Sequence, residues 1–255
     1  MQIALALLGA AWGHPLTTPM LIGAAELLQL SPNSMRIALS RLTAKGDVIA
    51  TRRGAYALSP ARVDAFDHVR RYRTGFAKRV TWRGGFVGVL TADLPRRDAT
   101  LLRRRTRALD LVGFRALRHG LFVRPDNLAG GLPAIGQQLT RLGLDVEAEL
   151  CGVTLDARQR ARVEQRYQVK ADARRAQGLT RKVEALLPLM RRRSPRQLAA
   201  TSFWLGDEVL RFLARDPLLP DELADPGPRR KLSELMSALD KQGLAVWRSL
   251  LEELP

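Results

Sequence analysis

The alternation of apolar and polar positions predicts a helix with clear end signals near the start of the chain. Ser31 is a preferred N-cap residue, Pro32 suits the first helical position, and Gly46 is typical just past a helix end. Four apolar residues between them follow the i, i+3, i+4, i+7 spacing of one helix face: Met35, Ala38, Leu39 and Leu42. The pattern therefore predicts a capped amphipathic helix over residues 31–46.

The segments around this helix predict the order of a winged helix-turn-helix. The opening MQIALALLGAAW has helical periodicity and lacks the basic start of a leader, so it is interpreted as a first helix. A second helix follows, capped by Thr17 or Thr18, and a short turn joins it to the helix at 31–46. After Gly46, two short strands flank Arg52-Arg53-Gly54 and predict a hairpin with a basic tip.

The outer face of the 31–46 helix and the hairpin tip carry side chains suited to DNA. Arginine pairs with guanine or phosphate, asparagine with adenine, and serine with several base edges. Two arginines at a hairpin tip suit a minor groove or the phosphate backbone. The candidate DNA contacts are Asn33, Ser34, Arg36, Ile37, Ser40, Arg41, Arg52 and Arg53. The alternative is an adaptor domain that binds protein and leaves these charges solvated.

The middle of the chain alternates strand and helix patterns. A buried strand is predicted in 85–95, a helix in 96–114, and one or two strands in 114–126 with a break near Gly120. A helix in 132–144 and a strand in 146–155 complete a β–α–β–β–α–β order. That order is typical of a ferredoxin-like domain.

Only helix patterns follow Asp156, so we expect an α+β chain with four parts. These are a winged helix-turn-helix over 1–60, a linker helix over 61–82, a ferredoxin-like α/β domain over 83–155, and a helical domain over 156–255. A last helix over about 229–254 has an apolar face that is the candidate surface for homodimer pairing: Leu232, Leu235, Leu239, Trp247 and Leu251.

Net charge narrows the class of partner. The chain has 42 Lys and Arg against 25 Asp and Glu, a formal net charge of +17, which favours a polyanionic partner such as DNA. The alternative is a solvated basic surface in an arginine-rich proteome. A single cysteine excludes an internal disulfide and favours a reducing, cytoplasmic compartment. No apolar stretch is long enough to cross a membrane.

Several motifs together resemble the PaaX family, transcriptional repressors of phenylacetic acid catabolism. They are MRIALSRLTAKGDV with RRGAYAL, Trp82 before VLTADLP, LVGFRALRHGLFVRPDNL at 112–128, and LARDPLLPDEL at 213–223. The last two are the most specific, in their order and separation. The resemblance implies a winged-helix head, a ferredoxin-like middle, a helical tail, and a homodimeric repressor. It also implies release from the operator by an aryl-CoA thioester such as phenylacetyl-CoA.

A CoA thioester offers phosphates to arginines and an acyl group to an apolar wall. The candidate effector residues are Arg104, Arg107, Arg118, His119 and Trp204. Two arginine clusters stay open between a solvated face and a cradle for an anion: Arg103, Arg104, Arg105 and Arg107, and Arg191–Arg193. His119 stays open between a turn residue and part of a ligand pocket.

Enzymatic activity is not expected. Asp93 at a strand end resembles the metal ligand of small CRISPR nucleases, but no second carboxylate accompanies it, and Asp before Leu-Pro favours a turn. The sequence shows no glycine-rich phosphate loop, Ser-His-Asp arrangement or metal-ligand spacing. We therefore expect no catalytic residue, resident cofactor or metal.

Overall fold

The computed structural model describes residues 2–11, 14–63, 78–95 and 97–253 and shows a mixed α+β protein. Most of the predicted linker helix lies outside the described residues, because 64–77 are not among them. Tertiary contacts divide the chain into two units. The first unit contains residues 1–70, 179–211 and 233–255, and the second contains 71–178 and 212–232. The four-part division at 60, 82 and 155 stays a prediction.

The amino-terminal elements of the first unit alternate helices with short strands. They are α1 (Gln2–Ala10), β1 (Leu16–Thr17), α2 (Thr18–Leu27), α3 (Pro32–Ala44), β2 (Val48–Arg52) and β3 (Ala55–Leu58). The Thr17 hydroxyl caps α2 by accepting from the Met20 N–H at 3.3 Å, which settles the choice between Thr17 and Thr18. The four residues after Leu27, with Gln29 at a φ of 61°, form the turn into α3.

Both ends of α3 form as the sequence predicts. The Ser31 hydroxyl accepts from the Ser34 N–H at 3.2 Å, which satisfies one of the free donors of the first turn. Gly46 follows the helix with a φ of +70°, a conformation that favours glycine. Its N–H donates to the Thr43 carbonyl, and the Asp47 N–H donates to the Leu42 carbonyl, each at 3.0 Å. This pair of bonds is a Schellman motif, which ends the helix before β2.

Strands β1, β2 and β3 form an antiparallel sheet in the order β1-β3-β2. The register is irregular between Ala50 and Arg52, so β2 has a bulge just before the hairpin tip. The carbonyl of Gly54 at the tip accepts from the Thr18 N–H at 2.8 Å. The hairpin is therefore fastened to the start of α2.

From residue 157 onward the described residues form four helices: α6 (Ala157–Gln165), α7 (Val169–Leu189), α8 (Pro195–Ala214) and α9 (Gly227–Glu252). Two of them complete the core of the first unit. Ala199 of α8 and Trp247 and Leu250 of α9 are buried in one cluster with residues of α1, α2, α3 and the hairpin. Phe203 packs against this cluster, with its ring 5.7 Å from that of Trp247.

The apolar face of α9 is buried within the chain itself. Leu232, Leu239 and Trp247 are 0%, 2% and 9% exposed, and Leu235 is half-buried. The side chain of Leu251 lies outside the described residues. The prediction that this face is available for dimer pairing is therefore wrong, because the protomer's own core already covers most of it.

The second unit contains the predicted β–α–β–β–α–β order. Its elements are β4 (Phe86–Leu90), α4 (Ala99–Leu111), β5 (Arg115–Arg118), β6 (Leu121–Pro125), α5 (Gly131–Arg141) and β7 (Glu149–Val153). The four strands form one antiparallel sheet in the order β5-β6-β4-β7. The break near Gly120 is a hairpin turn, so the segment 114–126 contains two strands.

Apolar clusters cover both faces of this sheet. Val87 and Val89 of β4 pack with residues of α4 and α5, whereas Phe86 packs with Trp82, Tyr167 of the α6–α7 turn, and other residues on the opposite face. Because successive residues of a strand face opposite sides, a strand covered twice is apolar throughout. This explains the continuous apolar run in β4. Within the described residues, no helix has the length and apolar character that a membrane crossing requires.

Candidate nucleic-acid interface and motif contacts

The two faces of α3 differ sharply in burial. Met35, Ala38, Leu39 and Leu42 are buried in the core of the first unit. All six predicted contacts on the other face are exposed: Asn33, Ser34, Arg36, Ile37, Ser40 and Arg41. Ile37 is 45% exposed, and an apolar side chain on a polar face is suited to the methyl group of thymine. The helix is thus held from one side only, and its outer face is accessible along its whole length.

Ser34 has a structural role in addition to its predicted one. Its N–H bonds to the Ser31 hydroxyl at 3.2 Å, and the two hydroxyl oxygens are 2.8 Å apart. Ser34 therefore helps to hold the N-cap of α3, close to the end where a recognition helix contacts base edges.

The two arginines of the hairpin tip are exposed. Arg52 ends β2, and Arg53 lies with Gly54 in the turn that follows. Among the described residues, no ion pair joins an acid to Arg36, Arg41, Arg52 or Arg53. These four arginines are therefore available to bind an external anion.

Other arginines of the chain are already neutralised. Arg62 forms a bidentate pair with Asp47 at 2.7 and 2.8 Å, and this bonding raises the pKa of Arg62. Arg105 pairs with Asp145 at 2.7 and 3.0 Å and is only 4% exposed. The sequence interpretation that grouped Arg105 with a solvated face or an anion cradle is wrong. Because Arg105 is buried and its charge is paired with Asp145, it is not accessible to a ligand at the surface of α4.

The predicted effector residues are not gathered in one unit. Arg104, Arg107, Arg118 and His119 are exposed residues of the second unit, and His119 lies in the turn between β5 and β6. The stem of Arg104 lies against Gly143, where an added Cβ would come within 2.7 Å of it. Trp204 belongs to the first unit, 38% exposed with its ring edge-on to Phe203.

One cavity of the second unit does not suit a CoA diphosphate. It has a volume of about 90 Å³ and is lined by Tyr167, Val169, Leu219 and Leu223 together with the carboxylates Glu164 and Glu222. Two acidic side chains repel phosphates, so this cavity does not contain the predicted arginine cradle.

A buried arginine that sequence reasoning missed holds the two most specific motifs together. Arg124 of the motif at 112–128 is 1% exposed, and its guanidinium donates to the carbonyls of Val112, Pro125 (3.1 Å) and Pro217 (3.2 Å) and to Asn127 Oδ1 (3.0 Å). Burial lowers the pKa of Arg124 to about 10, so the group stays charged at neutral pH. The signal in the sequence was an arginine inside the apolar strand LFVRP.

The same motifs meet at two further points. The amide of Asn127, a fully buried side chain, donates to the Leu218 carbonyl at 2.7 Å. Gly113 has a φ of +86°, and a Cβ there would lie 2.8 Å from the Cα of Pro217. Segments about ninety residues apart therefore fit together as one packed assembly, which gives Gly113, Arg124 and Asn127 a structural role.

A buried ion pair continues this assembly. Asp216 Oδ1 accepts from Arg229 at 2.7 Å and from the Leu218 N–H at 2.9 Å, and Arg229 also donates to Asp172 at 3.1 Å. Asp216 Oδ2 is buried and has no hydrogen-bond partner among the described residues. Burial raises the pKa of Asp216, and Arg229 opposes that shift. Arg229 is thus the main compensation for a buried carboxylate.

The fold is similar to a solved structure. It matches the uncharacterized protein Rv0674 from Mycobacterium tuberculosis with a TM-score of 0.56 and 20% identity, covering 96% of this chain and 97% of that chain. At this identity the likeness shows a shared fold. No family model and no curated protein matches the sequence.

Proposed function

We propose that this protein is a DNA-binding transcriptional repressor of the PaaX type. The observation that carries the proposal is the division of α3 into a fully buried face and an exposed face of Asn, Ser and Arg side chains without acidic partners. Any surface helix exposes a polar face, but α3 contains two arginines and no acidic residue, which suits an anionic partner. The order α1-β1-α2-α3-β2-β3, with the basic hairpin after the helix, supports a winged helix-turn-helix.

The second unit supports the same proposal through its topology. An antiparallel sheet of order β5-β6-β4-β7, with two crossover helices, is the arrangement of a ferredoxin-like domain. Two of the motifs that resemble the PaaX family, at 112–128 and 213–223, meet within this unit through Arg124 and Asn127. Their role there is to hold the unit together, and the exposed arginines of α4, such as Arg104 and Arg107, are not part of that packing.

Selection from random DNA tests the proposal directly. We expect the full-length protein to enrich a defined sequence, called the operator below, and to shift it in a gel at concentrations that leave scrambled DNA unbound. No enrichment, together with no shift of any duplex, would favour the adaptor without DNA binding. Cleavage of the duplex that depends on added Mg²⁺ would favour a third and less favoured function, a metal-dependent nuclease that uses Asp93.

The hairpin tip gives a prediction about salt dependence. Replacing Arg52 and Arg53 with glutamine should make the slope of log affinity against log salt less steep by about one to two. The reason is that the DNA keeps about one counterion for each phosphate contact that is lost. Fluorescence anisotropy with a random-sequence duplex at four salt concentrations measures this slope. A slope equal to that of the wild type would show that the tip faces away from DNA.

The proposed effector is an aryl-CoA thioester, with phenylacetyl-CoA as the first candidate. We expect phenylacetyl-CoA to bind the free protein and to lower operator affinity, and phenylacetate at the same concentration to do neither. Replacing Arg104 and Arg107, the adjacent exposed arginines of α4, with glutamine should weaken this binding about tenfold or more. Calorimetry measures both ligands. Equal affinity for acid and thioester would remove the arginines from the site.

A homodimer on an inverted repeat is part of the proposal, since one winged helix contacts few base pairs. We expect sedimentation at micromolar concentration to give twice the monomer mass, and the selected operator to contain two half-sites about one helical turn, or a multiple of it, apart. A monomer that binds a single half-site with full affinity would contradict this.

A further inference from the structure

Four arginines of the first unit lie outside α3 and the hairpin and form a dense positive group, called the arginine turn below. Arg191, Arg192 and Arg193 occupy the turn between α7 and α8, and Arg196 lies in the first turn of α8. All four are exposed, and no acid of the described chain pairs with them. Four like charges thus lie within six residues, and none of them forms an ion pair with an acid in the part of the chain that the structure describes.

The helix ends beside the arginine turn do not account for it. The carboxyl end of α7 carries about half a negative charge and the amino end of α8 about half a positive one, so their effects nearly cancel. No acidic residue occupies the first turn of α8, where one would be stabilising. A bound anion would therefore lower the mutual repulsion of the four cations, and a local conflict of this kind is typical of a functional surface.

The arginine turn is fixed to the core that supports α3. Ala199 of α8 is fully buried in the same apolar cluster as Met35 and Leu39 of α3. Ala199 follows Pro195, the first residue of α8, by four positions, which is about one helical turn or ~6 Å. The start of α8 therefore lies about one turn from this core, and all four arginines belong to the same unit as α3 and the hairpin.

We propose that the arginine turn binds the phosphate backbone of the DNA beside the segment contacted by α3 and the hairpin. This inference rests on the proposed DNA-binding function and extends the protein's binding site beyond the head's own contacts. Duplex DNA carries one negative charge per ~1.7 Å of axis, which supplies several phosphates to a group of four guanidiniums. Contacts of this kind add affinity and position the protein, but do not select a sequence.

A charge-removal variant with a matched control tests this inference. The test variant carries Arg191→Gln, Arg192→Gln, Arg193→Gln and Arg196→Gln. The control removes four charges from exposed residues of the second unit through Arg158→Gln, Arg162→Gln, Arg166→Gln and Lys170→Gln. Because phosphate contacts do not depend on sequence, the probes are random-sequence duplexes of 14 and 40 base pairs.

On the 40-base-pair duplex we expect the test variant to lose about 10- to 100-fold in affinity and about three in salt slope. We expect the control to change less than threefold, and the test variant to change less than threefold on the 14-base-pair duplex. Thermal unfolding at the wild-type temperature confirms that the test variant is folded. These results together support flanking phosphate contacts.

Three other results would overturn the inference in distinguishable ways. If the test variant binds the long duplex as well as the control does, the arginine turn does not contact DNA. Salt-dependent binding by the wild type would still support the proposed function. Equal losses on both duplexes place the arginines inside the head's own site. If the wild type binds neither duplex in a salt-dependent manner, the proposed function itself fails.

Discussion

We expect the double variant Asn33→Ala/Arg36→Ala to lose about 2–6 kcal/mol of affinity for the operator and far less for scrambled DNA. Both side chains are exposed in the first half of α3, and recognition helices contact base edges with their amino-terminal residues. Asparagine on adenine and arginine on guanine each form two hydrogen bonds that other bases cannot match. The variant removes those bonds and leaves the cap and the buried face of α3 intact.

Anisotropy titrations on operator and scrambled duplexes at one salt concentration measure the two losses. The matched control is Gln137→Ala/Arg141→Ala, an exposed pair on α5 of the second unit. We expect this control to change both affinities by less than threefold. Equal losses by the double variant on operator and scrambled DNA would show that Asn33 and Arg36 contact phosphates and do not read bases.

The second large effect is on stability. Replacing Arg229 with methionine should lower the free energy of unfolding by about 3–5 kcal/mol at neutral pH, because it leaves a buried carboxylate without its cation. Asp216 has 4% of its side chain exposed, and one of its oxygens already lacks a hydrogen-bond partner among the described residues. Arg229 has 10% of its side chain exposed, so water cannot replace it without opening the site.

The loss should depend on pH in a direction that the burial of Asp216 fixes. Burial raises the pKa of Asp216 in the folded protein above the 3.8 of an exposed aspartate, so the folded state binds the proton at a higher pH than the unfolded state. The energetic cost of burying the ionised Asp216 is therefore fully present above its folded-state pKa, and it is lost as the pH falls through that pKa. The deficit of the Arg229→Met variant should shrink as the pH is lowered toward 4.

Urea denaturation followed by circular dichroism measures these free energies. Arg230 is the matched control because it is the exposed neighbour of Arg229, and Arg230→Met should cost less than about 0.5 kcal/mol. Adding Asp216→Asn to Arg229→Met should recover much of the loss, since it removes the uncompensated charge. Equal costs for Arg229→Met and Arg230→Met would mean that the buried pair does not stabilise the fold.

Local patterns predicted the head and the order of the second sheet. The cap at Ser31, the end at Gly46 and the apolar face of α3 depend on residues within one or two turns of each other. Such contacts join residues that are close in the sequence, so the spacing of the residues is sufficient to predict them. The β–α–β–β–α–β order followed from hydrophobic period for the same reason.

The sequence could partly predict which arginine of helix α4 is buried. Arg105 precedes the buried Ala108 and Leu109 by three and four positions, so it shares their inward face. That spacing separates it from its exposed neighbour Arg104. Its partner Asp145, forty residues later, was not accessible, because no local pattern specifies a pair that only the packed fold brings together.

The sequence by itself therefore determined the elements, the outward face of α3 and the positive charge. Only the tertiary structure decided which charges are available to an external partner. Arg124 and Arg229 are buried and bonded within the protein, whereas Arg36 and Arg191 are exposed. It also decided that the chain's own core covers the apolar face of α9. The physical reason is that burial and ion pairing depend on neighbours that are far apart in the sequence. An arginine can be buried and paired or exposed and available, and the packed fold decides which.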